Sequence, residues 1–268
     1  MKIAVCFFGI TRSLSYTIGS IKTNILSPAQ ELGQVRVFAH FFRQKTINNP
    51  RSGEAGVLKQ GEHELLSPDW LELEEPETCL AKHGFDGLKA FGDEWRDDFR
   101  SLRNLVHQLH SLERVTEAAL AWAPDIYIFA RPDLQYHDDF APFLAELIGG
   151  SGDVAYYPNW QLCGGLNDRF LICRGHGAAK AYGQRIRVAS DFCYLAGEAL
   201  RSEKLVAYAI RECGVRLRPM PLRASRVRAN GALHPEKFDH PLLNTAKRLI
   251  ITPLRAIGLW PPLGRSNA

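Results

Sequence analysis

Apolar positions along this chain follow two periods, and their alternation predicts an α/β fold. Lys2 to Phe8 is a short unbroken apolar run, the pattern of a buried strand. Gly9-Ile10-Thr11-Arg12-Ser13 then reads as a loop, Tyr16 to Leu26 as a helix, and Val35 to Phe42 as a second buried strand. Strand, loop, helix and strand in this order are the signature of a parallel βαβ unit. The polar segment from Arg43 to Pro68 reads as a long surface loop, and Leu71 to Glu75 as a short strand. From Phe99 to Ala121, Leu102, Leu105, Val106, Leu109, Leu112, Val115 and Ala119 recur at intervals of three and four, which is one face of a long helix. Pro124 closes it, and Asp125 to Ala130 is a central strand that runs into Arg131-Pro132-Asp133.

The second half repeats the alternation. Asp139 to Ile148 predicts a helix, Val154 to Tyr157 a strand, Pro158 to Leu166 a loop and Asp168 to Cys173 another strand. Gly177 to Leu200 is mostly helical in pattern, Ser202-Glu203 caps a helix from Lys204 to Cys213, and Val215 to Met220 is the last strand. With no repeat and no linker, the expected organisation is a single domain over 1–235, followed by a tail (236–268).

Composition narrows the class. At 46% hydrophobic and 23% charged residues the chain can bury a core and is not a disordered protein. The six cysteines include no CxxC pair, which fits reduced thiols in a cytosolic protein better than a disulfide or zinc framework. The apolar N-terminal run is too short for a signal peptide, and no stretch reaches the roughly 20 apolar residues of a membrane span. The net charge is +4, with Arg211, Arg216, Arg218, Arg223, Arg226 and Arg228 crowded near the end. Such a cluster suits phosphate groups, or is simply a solvated basic edge. Nucleic acid is not an expected partner, since no binding motif occurs and aromatics do not interleave with the basic residues.

In an open α/β sheet, ligands bind beyond the carboxyl ends of the strands. Gly9, Thr11 and Arg12 fall there, as a plain turn or as a phosphate contact. Arg131 and Asp133 fall there too, the aspartate either pairing with the arginine or holding a divalent cation. Gly164-Gly165-Leu166-Asn167-Asp168-Arg169 offers Asp168 as a general base, or an Asp168–Arg169 structural pair. Glu203 is a first-turn carboxylate that can alternatively touch substrate, and His234 is an exposed loop histidine or a late metal ligand beside Asp133. Ser101, Asn104 and Gln108 share one face of the long helix. The tail from Ala246 to Trp260 mixes basic and apolar residues, as in a segment lying on an anionic membrane or a helix packed on the domain.

Together, Lys2 to Leu14, Asn104 to Leu112, Asp125 to Leu134, Asn167 to Phe170 and Ser202-Glu203 resemble bacterial GT-A-like glycosyltransferases of capsule, lipopolysaccharide and exopolysaccharide biosynthesis. The resemblance covers about Met1 to Gly231. It implies a Rossmann-like, mostly parallel sheet flanked by helices, with a nucleotide-binding half (1–134) and an acceptor half (135–235), a nucleotide-sugar donor and a glycan or lipid-linked acceptor. The thiols and the basic tail add the expectation of a cytoplasmic protein in peripheral contact with the inner membrane. A GT-A enzyme usually carries Asp-x-Asp after the central strand to hold Mn2+ or Mg2+ and the donor diphosphate. Here Arg131 stands at the first acidic position and Asp133 at the second, which leaves metal dependence open. Two alternatives remain: a non-catalytic GT-A-like binding protein in polysaccharide assembly, and another nucleotide-dependent transferase such as a sulfotransferase.

Overall fold

The structure, a computed structural model, describes residues 1–49 and 53–238. Strand β1 (Lys2–Gly9) is followed by a long helical stretch made of α1 (Leu14–Ile21), one wider turn (Lys22–Leu26) and α2 (Ser27–Leu32). Strand β2 (Gln34–Phe42) lies parallel to β1. The segment expected to be a bare loop contains an antiparallel hairpin, β3 (Thr46–Asn49) with β4 (Glu54–Val57), and a tight turn of helix over Glu62–Leu66. Its mostly polar residues hid the hairpin, because too few apolar positions alternate to mark a strand. Strand β5 (Trp70–Glu74) pairs parallel to β2 and ends the sheet on that side.

Two short helices, α3 (Thr78–Lys82) and α4 (Phe85–Lys89), precede α5 (Arg100–Ala121), the long helix anticipated from its apolar stripe. Strand β6 (Ile126–Ala130) returns to the other side of β1. Then come β7 (Leu134–Tyr136), α6 (Ala141–Ile148), β8 (Val154–Pro158) and β9 (Leu171–Arg174). Strand β9 begins three residues later than the sequence pattern suggests, so Asp168 sits in the loop before it. It also runs antiparallel to both its neighbours, β6 and β8. The expected helix over Gly177 to Leu200 divides into α7 (His176–Gly183), a tight turn (Arg185–Val188) and α8 (Ala189–Ala196). Last come α9 (Ser202–Glu212), β10 (Arg216–Met220) and β11 (Ala224–Arg226), the last of which pairs with β7.

The seven-stranded sheet has the order β10-β8-β9-β6-β1-β2-β5 and is parallel except for β9. This is the mostly parallel α/β sheet that the alternating pattern predicts. Alternation along β1 splits the core. Ile3, Val5 and Phe7 join a cluster with residues of α1, α2 and α6, whereas Ala4, Cys6 and Phe8 join one with residues of α5, α7 and α9. The chain leaves β1 in one direction through β2 and β5, then comes back to the opposite side through β6. The reversal opens a crevice between the carboxyl ends of β1 and β6, the place where open α/β sheets take ligands. Because β9 runs backwards, its entry loop with Asp168 reaches that same edge.

The six cysteines are free, and among the described residues no helix is long and apolar enough to cross a membrane. Of the tail, residues up to Phe238 are described, with Glu236 buried at its carboxylate and Phe238 packed against Trp160. The basic and apolar stretch from Ala246 to Trp260 lies outside the described residues. Leu112, fully buried where α5 meets the sheet, tests the packing. Leu112→Ala should cost about 2–5 kcal/mol of stability, read as a lower urea midpoint at unchanged slope.

Candidate functional site

The loop after β1 is built to hold one side chain still. Gly9 has φ +103°, a backbone region that favours glycine, and its N–H donates to Ser111 Oγ at 3.0 Å. Ser111 in turn donates to the carbonyl of His40 at 2.7 Å, tying the ends of β1 and β2 to α5. The start of α1 is capped from a distance: Glu62 accepts from the N–H groups of Leu14 (3.0 Å) and Ser15 (3.3 Å). Between these two anchors stands Arg12.

Arg12 reaches across the crevice to the loop after β6. Its Nη2 donates to Asp133 Oδ2 at 2.7 Å and its Nη1 to Glu54 Oε2 at 2.9 Å. Arg131 closes on the same aspartate, Nε to Oδ1 at 3.0 Å and Nη2 to Oδ2 at 2.8 Å. Arg228 completes the group, with Nη1 at 3.2 Å from Glu54 Oε2, while the N–H of Ala229 donates to Glu54 Oε1 at 2.8 Å. Three guanidiniums therefore share two buried carboxylates, leaving an excess positive charge at the switch point. Arg12 Nε is buried with no partner among the described residues. Burial alone would push the Asp133 carboxyl up. The charges of Arg131 and Arg12 outweigh it and hold the group well below the usual carboxylate range.

Asp133 is thus saturated. Both oxygens take guanidinium N–H groups, the residue is fully buried, and its backbone carbonyl accepts from Val227 N at 2.9 Å. A Mn2+ or Mg2+ ion does not fit on this carboxylate in the arrangement seen. His234 lines the cleft, but its ring faces Arg228, with Nδ1 3.5 Å from Nη2. Burial and the neighbouring arginine Arg226 lower its pKa. Among the described residues, no group of three metal-capable side chains within 4.8 Å includes Asp133 or His234.

In front of the arginines lies a cleft of about 610 Å³, a volume suited to a nucleotide-sized ligand. Arg12, Arg131, Arg226 and Arg228 line it together with Phe42, Ile47, Asn48, Asn104 and His107. Gly9 and Ile10 also line it. Thr11 is not among the lining residues, and its carbonyl accepts from Leu14 N at 3.2 Å. Of the six late arginines, Arg226 and Arg228 reach the cleft. Arg218 pairs with Glu146 and Arg223 with Asp138 on the surface.

Gln108 carries the site onward. Its Oε1 accepts from Arg131 Nη1 at 3.2 Å, and its Nε2 donates to Asp168 Oδ2 at 3.4 Å. Ser202 Oγ donates to the same Asp168 oxygen. The expected cap by Ser202 is therefore absent: α9 starts at Ser202 with no side-chain cap, and the hydroxyl serves Asp168 instead. Nor do Asp168 and Arg169 pair, because the Arg169 guanidinium turns to Gln161 Oε1 (2.6 Å) and Glu236 Oε1 (2.9 Å). Leu166 N donates to the Glu203 carbonyl at 2.9 Å. A Cβ at Gly165 would run into that carbonyl, so only glycine permits the approach. Glu203 is brought beside Asp168 in this way, and burial followed by the Asp168 charge raises its pKa.

Sequence reasoning found Arg12, Arg131, Asp133, Asp168 and Glu203 as separate candidates, and the structure brings the first three into contact and the last two into proximity. It missed Glu54 and Glu62, which sit in the segment read as loop. Of Ser101, Asn104 and Gln108, Gln108 bridges Arg131 to Asp168, Asn104 lines the cleft, and Ser101 bonds to Asp97.

No family model and no curated protein matches this sequence. Among solved structures the chain is similar to mouse xyloside xylosyltransferase 1 in its apo form, at 10% identity and TM-score 0.39, covering 82% of this chain and 85% of that one. Another is the galactosyltransferase LgtC in complex with donor and acceptor sugar analogs, at 11% identity and TM-score 0.40, covering 82% and 73%. A third is a Bacillus anthracis protein proposed to be a glucose-1-phosphate thymidylyltransferase, in complex with a sucrose, at 8% identity and TM-score 0.39, covering 99% and 98%. Likenesses of this degree carry no chemistry, which rests on the side chains themselves.

Two outcomes follow from the charges. Asp133→Asn leaves Arg12 and Arg131 buried together without their shared counter-charge and should cost about 3–5 kcal/mol in chemical denaturation. Glu203 has a folded pKa above its unfolded value, so it costs no stability below the ordinary carboxylate range and costs more as pH rises through the folded value. Glu203→Gln should therefore match the wild type in melting temperature at pH 4 and exceed it at pH 7.

Proposed function

We propose that this protein is a glycosyltransferase that moves a sugar from a nucleoside-diphosphate donor to a hydroxyl of a cell-surface polysaccharide or lipid-linked acceptor. Its chief support is the trio of guanidiniums at the switch point, held by Asp133 and Glu54 and facing a cleft of nucleotide size. Arginine forks match phosphate oxygens bidentately, and here they are fixed before any ligand arrives. The sequence resemblance of Lys2 to Leu14, Asn104 to Leu112 and Asp125 to Leu134 to GT-A-like enzymes supplies the sugar-transfer chemistry.

In this reading the donor diphosphate lies against Arg12, Arg131 and Arg228, with Gly9 allowing close backbone approach. Asp168, one glutamine away from Arg131, takes the proton of the acceptor hydroxyl. The acceptor oxygen then bonds to the anomeric carbon as the bond from that carbon to the diphosphate oxygen breaks. The negative charge left on the diphosphate is met by the arginines, which do the work a cation on Asp133 would otherwise do. Glu203 lies beside Asp168, where burial and then the Asp168 charge raise its pKa.

Thermal melts and calorimetry against UDP, GDP, CMP and their sugar conjugates test this, with manganese or with chelator. One nucleotide class should stabilise the protein, and chelator should not abolish the effect. Arg131→Lys keeps the charge but loses the fork, and should weaken that nucleotide about tenfold or more. Asp168→Asn should bind as the wild type does, yet release nucleoside diphosphate from the donor about 100-fold or more slowly. Absence of any nucleotide effect would overturn the donor site, and binding without turnover in the wild type would favour a non-catalytic binding protein.

A further inference from the structure

Behind the wall of the cleft, three side chains from different elements converge on one point. His40 comes from β2, Glu74 from the end of β5 and His110 from α5. His40 is in register with Glu72, so Glu74, two residues on, projects from the same face toward α5. His40 Nε2 lies 3.2 Å from Glu74 Oε2, and His110 Nε2 lies 2.8 Å from the same oxygen. All three donor atoms fall within 4.8 Å of one another. Both imidazoles are buried and Glu74 is only partly exposed.

The surroundings are those of a ligand set rather than of ordinary core. His110 Nδ1 is engaged at 2.8 Å by His83 Nε2, and Thr78 Oγ1 donates to the other Glu74 oxygen at 2.7 Å. Outer contacts of this kind orient imidazole and carboxylate ligands. His40 Nδ1 has no partner among the described residues, and its ring lies against Phe42 and His110 at centroid distances of 5.4 and 5.6 Å. With bonds of about 2.0–2.1 Å, a tetrahedral ion sets its ligand atoms roughly 3.3 Å apart. The His40–Glu74 separation already meets this, and His110 needs to withdraw by a few tenths of an ångström. Glu72 Oε2, 4.0 Å from His40 Nε2, is within reach of a fourth position that water would otherwise fill.

We infer that His40, Glu74 and His110 form a binding site for a zinc-class divalent cation, one that clasps β2, β5 and α5 together behind the cleft. Two imidazoles and one carboxylate suit Zn2+ or Co2+ better than Mg2+ or Ca2+. The ion does not touch the ligand in the cleft. Phe42 stacks on His110 with centroids 6.0 Å apart and meets His107 at 5.1 Å, so the clasp fixes the wall that these two residues present. The site is independent of the arginine seat and stands or falls apart from the proposed transferase activity.

The test uses the full chain, stripped with a chelator and dialysed, then titrated with Zn2+ by calorimetry and with Co2+ by visible absorption. A single saturable site is expected, with a rise in melting temperature on Zn2+ and cobalt d–d bands of a nitrogen–oxygen ligand set. His110→Ala and the near-isosteric Glu74→Gln should each weaken Zn2+ by about 100-fold or more, and His83→Gln by roughly tenfold. Should His110→Ala fail to fold, Glu74→Gln decides alone. Three results would overturn the site: no saturable uptake, affinity unchanged in Glu74→Gln, or a thiolate-to-cobalt charge-transfer band placing the ion on an exposed cysteine such as Cys163 or Cys213.

Discussion

Two guanidinium groups cannot be buried side by side unless a negative charge lies between them, and the geometry of this molecule's crevice is organised around that requirement. The Asp133 carboxylate meets it with three hydrogen bonds from Arg12 and Arg131. The aspartate is itself placed by backbone: Thr17 Oγ1 holds the Pro132 carbonyl at 2.5 Å and Val227 N holds its own carbonyl. The Tyr136 hydroxyl both accepts from Arg131 N and donates to Arg131 O, closing the turn. A residue that resembles half of a metal-binding motif thus acts here as the keystone of a cationic surface. Its charge is consumed internally, and the third guanidinium with Glu54 leaves the crevice electropositive.

Much of the scaffold was legible in the chain because its signals are local. The apolar runs of β1, β2 and β6 and the three-to-four stripe of α5 are properties of contiguous residues, and they define a parallel sheet with helices on its faces. The carboxyl edge of the strands, where open α/β sheets take ligands, follows from that, which is why Arg12, Arg131 and Asp133 could be named as candidates. What escaped was whatever depends on distant partners. Glu54 and Glu62 look like surface acids in a polar stretch until the hairpin folds over the loop after β1. His40, Glu74 and His110 are separated by more than thirty residues each, a spacing that matches no metal-binding pattern in sequence. Ser202 illustrates the opposite error: a local capping rule was available, but Asp168 won the hydroxyl.

The reversed strand β9 has a part in the site out of proportion to its four residues. Running against its neighbours, it delivers its entry loop to the ligand edge, and that loop is pinned at both ends. Asn167 Nδ2 donates to the Trp160 carbonyl at 2.8 Å, and Tyr182 Oη donates to the Asp168 carbonyl at 2.8 Å. The close approach of Gly165 to α9 then sets Ser202 and Glu203 against Asp168. A carboxylate in a loop is in this way held as firmly as one on a strand.

The Arg228–Glu54 contact joins positions 174 residues apart, and it has a bearing on how the protein comes into being. During synthesis Arg12, Glu54, Asp133 and Arg228 emerge in that order, with Arg228 following only after all seven strands of the sheet. At about 5–20 residues per second, the interval between the first and last of these arginines is on the order of 10–40 s. Throughout that time the nascent chain carries a part-built cationic crevice that cannot yet have its final shape. A chain truncated just before Arg228 would keep all seven strands of its sheet while lacking the guanidinium that meets Glu54 from this end.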